Sequence, residues 1–372
     1  MNKPSIIFLI DGLKFGGAER SLLEIAKRFV KYKPIFYVTS NSLELLQEYR
    51  DAGLEVIHFP LPRNYRFEKN AKKLWDKIKD HNPVIIHSTL FYSDMTLRYL
   101  KTDIIKVNSL VSNSYSPRRM NQLSIAIRFK VWMLKLWDIL SCNMVDCFIS
   151  NSQVIKTSYI KETKIKESKI KVIYRGRDPM KFQKRAVIES KLPQDPMLLS
   201  VGRLIPSKGF AGLIEVFSKF RSQFPGATLT IAGAGPEREE LIKIVKGLNL
   251  NDSVHLLGSI QNISNELLKA NLFIFPTFFE GLPGALIEAM MAKVPIICSD
   301  IPENKECLSQ DMCLFHKVGD WDDLYNVMEK AFLLGDWDER TKKAYEFAIQ
   351  NFEINKIVNQ YEALYDQLID KV

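Results

Sequence analysis

Two carboxylates, Glu280 and Glu288, stand eight residues apart on either side of Gly281-Leu282-Pro283-Gly284. The apolar run Leu272–Phe275 before them reads as a buried strand, and 285–292 as a helix with Pro283 at its first position. A helix start just past the carboxyl end of a strand presents free backbone N–H groups that favour an anion, phosphate above all. Glu280 then lies in the loop beside the anion. Glu288, about five residues into the helix, sits roughly 7 Å deeper at ~1.5 Å per residue. A phosphate with hydroxyls on both sides would satisfy both carboxylates, and a nucleotide sugar fits that description.

Two cations suit the same ligand. Arg203 and Lys208 are five residues apart in Gly202-Arg203-Leu204-Ile205-Pro206-Ser207-Lys208-Gly209, directly after the apolar run Met197–Val201. A guanidinium and an ammonium converging from one loop neutralise a diphosphate, Arg through its planar fork and Lys as a point charge. Near the N-terminus, Gly16-Gly17-Ala18-Glu19-Arg20 opens a helical run after the first strand-like run, and paired glycines there permit a tight turn and close backbone approach. This loop lacks both the Walker pattern and the dinucleotide fingerprint. Ala232-Gly233-Ala234-Gly235-Pro236-Glu237 is spoiled as a fingerprint by Pro236 and a missing third glycine.

The elements that carry these loops alternate. Short apolar runs at 6–10, 35–38, 55–59, 84–86, 104–107 and 147–149 read as strands, with helix-length amphipathic segments such as 18–29 and 70–79 between them. After a polar stretch at 175–196 the pattern restarts, with strands at 197–201, 228–232, 254–257, 272–275 and 294–298. Strands alternating with helices imply parallel sheets covered on both faces. The fold class is α/β with two doubly wound, Rossmann-like domains. A last helix over 354–369 carries Tyr361, Leu364, Tyr365 and Leu368 on one face.

Composition narrows the setting. The chain has 372 residues, 46% of them hydrophobic, enough for two domains with their own cores. The first apolar run, ended by Asp11, is too short for a signal peptide, and no run approaches the ~20 residues of a membrane span. Cys142, Cys147, Cys298, Cys307 and Cys313 show no C-x-x-C pairing, so a reducing cytosolic compartment with neither zinc site nor disulfide framework is expected. Charge is uneven: residues 1–175 carry 30 Lys and Arg against 16 Asp and Glu, the remainder 22 against 27. The basic half points to an anionic surface, lipid or nucleic acid.

Taken in order, these loops resemble the retaining glycosyltransferases of family 4, which have the two-domain GT-B architecture. The string from Gly202 to Gly209 matches that family's G-R-x4-K-G element, Glu280 and Glu288 its E-x7-E pair, and Gly16-Gly17 its opening glycine loop. Gly235 stands in its G-x-G-P loop. Leu257-Gly258-Ser259-Ile260 is similar to the segment that meets the base, and Ser150-Asn151-Ser152 and Gly176-Arg177-Asp178 resemble structural elements at the end of the first domain. The resemblance implies a first domain over 1–178, a donor domain over 179–350 and a tail, 351–372, that crosses back to the first domain. The domains would face a central cleft. It implies Arg203, Lys208 and the helix start at Leu282, Pro283 and Gly284 on the leaving diphosphate, Glu280 on sugar hydroxyls and Glu288 on the ribose, with Gly16, Gly17, Gly235 and Ile260 completing the donor pocket. Sugar transfer to a carbohydrate or lipid-linked glycan acceptor, with retention, follows as the expected function.

The chain departs from the family at one place. Where many members carry a cleft histidine, 107–115 reads Val-Asn-Ser-Leu-Val-Ser-Asn-Ser-Tyr. Ser112, Asn113 and Tyr115 are acceptor-side candidates but not general bases, so none is assigned. Of the five histidines only His87 falls near the cleft, and a structural role suits it better. Asp320-Trp321-Asp322 and Asp336-Trp337-Asp338 sit where helices start and read as caps, so no catalytic metal and no cofactor are expected.

Residues 118–140 mix Arg118, Arg119, Arg128, Lys130 and Lys135 with Phe129, Trp132, Trp137 and many aliphatics. That mixture suits either a buried helix or one lying on an anionic membrane at the cytoplasmic face. Two other functions compete. A nucleotide-sugar 2-epimerase would need acidic and histidine residues in the first domain. A nucleic-acid-binding module would need basic and aromatic residues along one groove, and the acidic second half disfavours it.

Overall fold

The computed structural model describes residues 3–121, 123–182, 189–260 and 262–371. It divides into two compact units, Met1–Arg177 together with Ile354–Val372, and Asp178–Glu353.

The first unit begins β1 (Ser5–Ile10), α1 (Gly17–Ala26), β2 (Lys33–Val38), α2 (Leu46–Asp51), β3 (Glu55–His58), α3 (Phe67–Ile78), β4 (Pro83–Thr89) and α4 (Phe91–Arg98). It continues with β5 (Ile105–Leu110), α5 (Pro117–Asn121), α6 (Ile125–Ser141), β6 (Cys147–Ser150), α7 (Gln153–Thr163) and β7 (Ile170–Val172). All pairings are parallel, in the order β3-β2-β1-β4-β5-β6-β7, with Ile7 of β1 opposite both Ile35 and Ile86.

The second unit runs β8 (Met197–Val201), α8 (Phe210–Arg221), β9 (Thr228–Ala232), α9 (Arg238–Gly247), β10 (Val254–Gly258), α10 (Ile263–Lys269) and β11 (Leu272–Phe275). Then come α11 (Gly284–Met291), β12 (Ile296–Ser299), α12 (Pro302–Cys307), β13 (Leu314–His316), α13 (Trp321–Leu333) and α14 (Trp337–Phe352). Its parallel sheet has the order β10-β9-β8-β11-β12-β13. Strands such as β11 and β12 are buried at every position, as a sheet covered on both faces requires.

In both sheets the order reverses once, between β1 and β4 and between β8 and β11. Chains leaving the two strands at such a switch point diverge and leave a crevice at their carboxyl ends. The alternation of apolar runs was enough to place eleven strands. The three-residue strands β7 and β13 are too short to show a period. Strand β12 starts two residues later than the apolar run suggests, because Val294 N–H is still held by the Ala289 carbonyl at the end of α11 (3.1 Å).

The tail α15 (Ile354–Ile369) belongs to the first unit, with Ile357, Val358, Tyr361, Leu364 and Tyr365 buried in the β1–β4 core. Its polar groups clamp the turn after α1. Glu362 accepts from Val30 N and Lys31 N (both 2.7 Å), and Asp366 from the Tyr32 hydroxyl (2.5 Å).

His87, in the middle of β4, is fully buried between the Tyr365 hydroxyl and Ser109 Oγ, each 2.7 Å away. It is a strut, not a cleft base. Burial, helped by the nearby Arg175 charge, holds its pKa down from 6.5 to about 3. The unfolded chain therefore takes up a proton near pH 6.5, whereas the folded one resists until about pH 3. The contribution of His87 to stability is full above pH 6.5 and is lost as pH falls toward 3. Denaturant unfolding of wild type and His87→Phe between pH 7.5 and 5 should show the wild type losing up to about 1.4 kcal/mol more per pH unit below 6.5. Parallel curves would contradict this strut.

Candidate functional site

The loops that leave β8 and β11 flank the switch point of the second sheet. After β8, Gly202 to Ile205 lead into a single 3-10 turn, Pro206–Lys208. The Ser207 carbonyl accepts from Phe278 N (2.9 Å) and Thr277 Oγ1 (3.1 Å), tying this turn to the loop after β11. Lys208 Nζ is thereby brought onto Glu280 Oε1 in a short ion pair, with both side chains nearly buried. The same ammonium lies 5.6 Å from the centre of the Phe275 ring. The cation and the first carboxylate of the sequence pattern meet.

Gly209 makes this approach feasible. Its φ of 71° is left-handed, and a Cβ would lie 2.5 Å from the Pro276 carbonyl oxygen. A second close approach joins the loops after β8 and β9. Gly233 has φ 155°, and a Cβ there would lie 1.7 Å from the Gly202 carbonyl oxygen. Gly235 follows in the same loop against the Leu204 carbonyl, and Leu204 N donates to Ala234 O (3.0 Å). Gly233 N reaches Gly258 O (2.8 Å), which sets the half-buried Ile260 at the exit of β10.

α11 starts at Gly284, so Pro283 is its N-cap and not its first helical residue, a one-residue correction. Pro283 supplies no side-chain cap, and Ile287 N is the first amide bonded back, to Pro283 O (3.1 Å). The amides of Gly284, Ala285 and Leu286 have no acceptor within the helix, as expected of a first turn. Leu282 precedes them in the loop, half-buried. Glu288 is half-buried one turn further along α11. Arg203 is exposed and forms no ion pair with the described residues.

A third layer went unseen in the sequence. Ser299 Oγ, at the end of β12, donates to Thr277 O (2.5 Å), and Asn304 Nδ2 donates to Ser299 O (2.8 Å) and Ser299 Oγ (3.2 Å). Asn304, Ser299, Thr277 and Ser207 thus form one chain of buried hydrogen bonds under Lys208 and Glu280. The only trace in the sequence is that all four are small polar residues at strand ends or the first turn of a helix.

In the first unit Gly16 is the N-cap of α1, as expected of a loop opening a helix. The carboxylate of Glu19 folds back over it, so that a Cβ on Gly16 would lie 2.2 Å from Glu19 Oε2, whereas the space beside Gly17 is open. The negative charge at this helix start is the chain's own. Ser112 is exposed and its hydroxyl meets Ser114 Oγ (2.7 Å), while Asn113 is buried. Tyr115 is 7% exposed, and its hydroxyl donates to Asp138 Oδ2 (2.7 Å). Its phenol is spent on this inward bond, so it is withdrawn from the acceptor side. Ser152 caps α7 through Ile155 N (3.1 Å), and Arg177 donates to Ser21 Oγ (3.1 Å), both structural. Asp320 caps α13 through Asp323 N (2.9 Å), whereas Asp336 makes no cap bond and instead takes Arg340 Nε on both oxygens (2.9 Å).

Gly209→Ala should cost about 1–2 kcal/mol from its left-handed backbone alone, before the contact with Pro276 is counted. It should lower the unfolding midpoint of the second unit. An unchanged midpoint would show that the turn does not need this conformation.

The sequence and fold have known counterparts. Residues 15–181 match the family described as Glycosyltransferase Family 4, and residues 182–349 that described as Glycosyl transferases group 1. An uncharacterized glycosyltransferase of Methanocaldococcus jannaschii is 27% identical over 222 residues, 52% of this chain and 54% of that protein. The N-acetylgalactosamine-N,N'-diacetylbacillosaminyl-diphospho-undecaprenol 4-alpha-N-acetylgalactosaminyltransferase of Campylobacter jejuni is 32% identical over 130 residues, 35% of this chain and 34% of its own. The chain thus spans about half, or less, of the length of these curated relatives. HepE of Anabaena, solved in complex with UDP and glucose, shares the fold at a TM-score of 0.82 and 19% identity, over 98% of this chain and 100% of that one. The two parallel-sheet units are those of the GT-B fold, and the chain belongs to the group 1, family 4 glycosyltransferases.

Proposed function

We propose that this chain moves a hexosyl or N-acetylhexosaminyl group from a nucleoside-diphosphate donor to a carbohydrate or lipid-linked glycan acceptor, with retention. The observation that carries this reading is the meeting of Lys208 and Glu280 beside the open first turn of α11, at a switch point. The Campylobacter relative, named for an undecaprenol-linked acceptor, and the Anabaena structure with UDP and glucose support it. The 2-epimerase alternative is not favoured, because the family matches are to glycosyltransferases and the one histidine considered for the first domain is a buried strut. Nucleic acid is not a partner on this reading.

The chemistry follows from the charges. The bond from the sugar's anomeric carbon to the diphosphate oxygen breaks, and its electron pair goes to the phosphate. Lys208, Arg203 and the α11 amides stabilise that developing charge, where preorganised donors contribute most. Glu280 holds sugar hydroxyls beside the electron-poor anomeric carbon, and Glu288 the ribose. The acceptor oxygen bonds to that carbon on the same face and its proton passes to the leaving phosphate, so no side-chain base is required. Gly235 and Ile260 line the donor's path in this reading.

Catalysis proceeds without a metal. In the two Asp-x-Asp triplets, Asp320 is engaged in its helix cap and Asp336 with Arg340. The setting we infer is the cytoplasmic face of a membrane, with the enzyme bound peripherally and acting in cell-surface polysaccharide or glycolipid synthesis.

Lys208→Ala and Glu280→Gln should each lower kcat/KM for transfer by about 10²–10³, measured as sugar incorporated into acceptor. Near-normal turnover in both would sink the assignment. Transfer should also persist in excess chelator; its abolition there would restore a metal to the mechanism.

A further inference from the structure

Helix α6 turns its apolar side to solvent. With 3.6 residues per turn, Ile125, Phe129, Trp132, Met133, Leu136 and Leu140 fall along one stripe. All six are exposed, by 84, 65, 50, 46, 36 and 78%. The stripe runs the length of the helix, about 22 Å at ~1.5 Å per residue. A helix on a water-soluble core ordinarily shows the opposite arrangement.

The helix cannot roll over to hide this face, because its other side is pinned. Asp138 accepts from Arg98 (2.5 Å) and from Tyr115 (2.7 Å), and Ser141 Oγ accepts from Arg98 (2.9 Å). Trp137 stacks on Tyr65, ring centres 5.6 Å apart, and donates to the Tyr99 hydroxyl (3.0 Å). Rotating α6 would strip partners from a buried carboxylate and a buried guanidinium, which is far costlier than exposing the stripe.

Charge identifies the occupant. Arg128 and Lys130 are exposed on the flanks of the stripe, and Arg118 is exposed on α5. No acidic residue occurs between Asp103 and Asp138. A second copy of the chain would bring the same positive charge to this face. An anionic bilayer offers both what the cations seek and what the apolar stripe seeks. No described helix is long and apolar enough to cross a membrane, so the contact is one of lying on, not spanning.

We propose that α6 is the membrane-docking element, with its stripe at the headgroup–acyl boundary of an anionic bilayer. This deepens the peripheral location inferred above by naming the surface and the lipid charge.

Vesicle flotation of the full chain tests it. The protein should float with phosphatidylglycerol–phosphatidylcholine vesicles, much less with phosphatidylcholine alone, and less as salt rises. Phe129→Ser with Trp132→Ser should weaken binding roughly tenfold or more through lost apolar burial. A blue shift of tryptophan emission on binding should shrink in Trp132→Phe, which keeps an aromatic ring. Failure to float on either vesicle would overturn the proposal, as would flotation indifferent to the double substitution. So would lipid-free dimerisation abolished by that substitution, which would make the face a self-interface. Thermal shift with nucleotide sugars, run on the same proteins, keeps the readings apart. Flotation without nucleotide binding would leave the docking surface standing and remove the donor site, and the reverse result would do the opposite.

Discussion

A single carbonyl, that of Ser207, holds the second unit's site together. It accepts from Thr277 and Phe278 at once, so the loops after β8 and β11 are joined where the two strands would otherwise send their chains apart. Parallel pairing sets neighbouring strands ~4.8 Å apart, which brings the loops close but does not align them. The double hydrogen bond supplies the alignment. Ser299 and Asn304 hold Thr277 from beneath, and the left-handed Gly209 lets the turn close against Pro276. Lys208 and Glu280 meet because of this framework, and their placement follows from it.

The ion pair itself is a poor source of stability. Taking two charges most of the way out of water costs about as much as their attraction returns. Its value lies in position. In the chain alone each charge satisfies the other. On the proposed reading, a diphosphate gives Lys208 a better partner, and Glu280 is released to sugar hydroxyls at the moment they arrive. A site arranged in this way keeps its charges paired, yet carries the charges its ligand needs.

Much of this was legible in the residues. Apolar runs of three to five residues marked strands, glycine-bearing turns marked the loops after them, and the sequence pattern had already singled out Lys208 and Glu280, the two charges that meet. What escaped had little local signature. Ser207, Thr277, Ser299 and Asn304 are unremarkable small polar residues until the sheet order brings them into one column. Tyr115 read as an acceptor-side group because its sequence neighbours are polar, but its partner Asp138 lies 23 residues away on α6. Glu19 read as one letter of a glycine loop, although a carboxylate at the third helical position folds back on its own cap. For residues 118–140, composition allowed either burial or a membrane surface. Only the tertiary bonds of Asp138, Ser141 and Trp137 show which side of α6 faces out.

The two units thus carry different burdens. The first is locked by α15 through His87, Glu362 and Asp366 and presents an apolar helix face outward, while the second gathers the charges. The central claim is that those charges hold a nucleoside diphosphate. Calorimetric titration of wild type and Lys208→Ala with a panel of nucleoside diphosphates and their sugar conjugates tests it most directly. Saturable binding of at least one nucleotide by the wild type, weakened tenfold or more by the substitution, is the predicted result; one fewer charge-assisted contact to phosphate accounts for about that much. Absence of binding across the panel, or equal affinity in both proteins, would contradict the account.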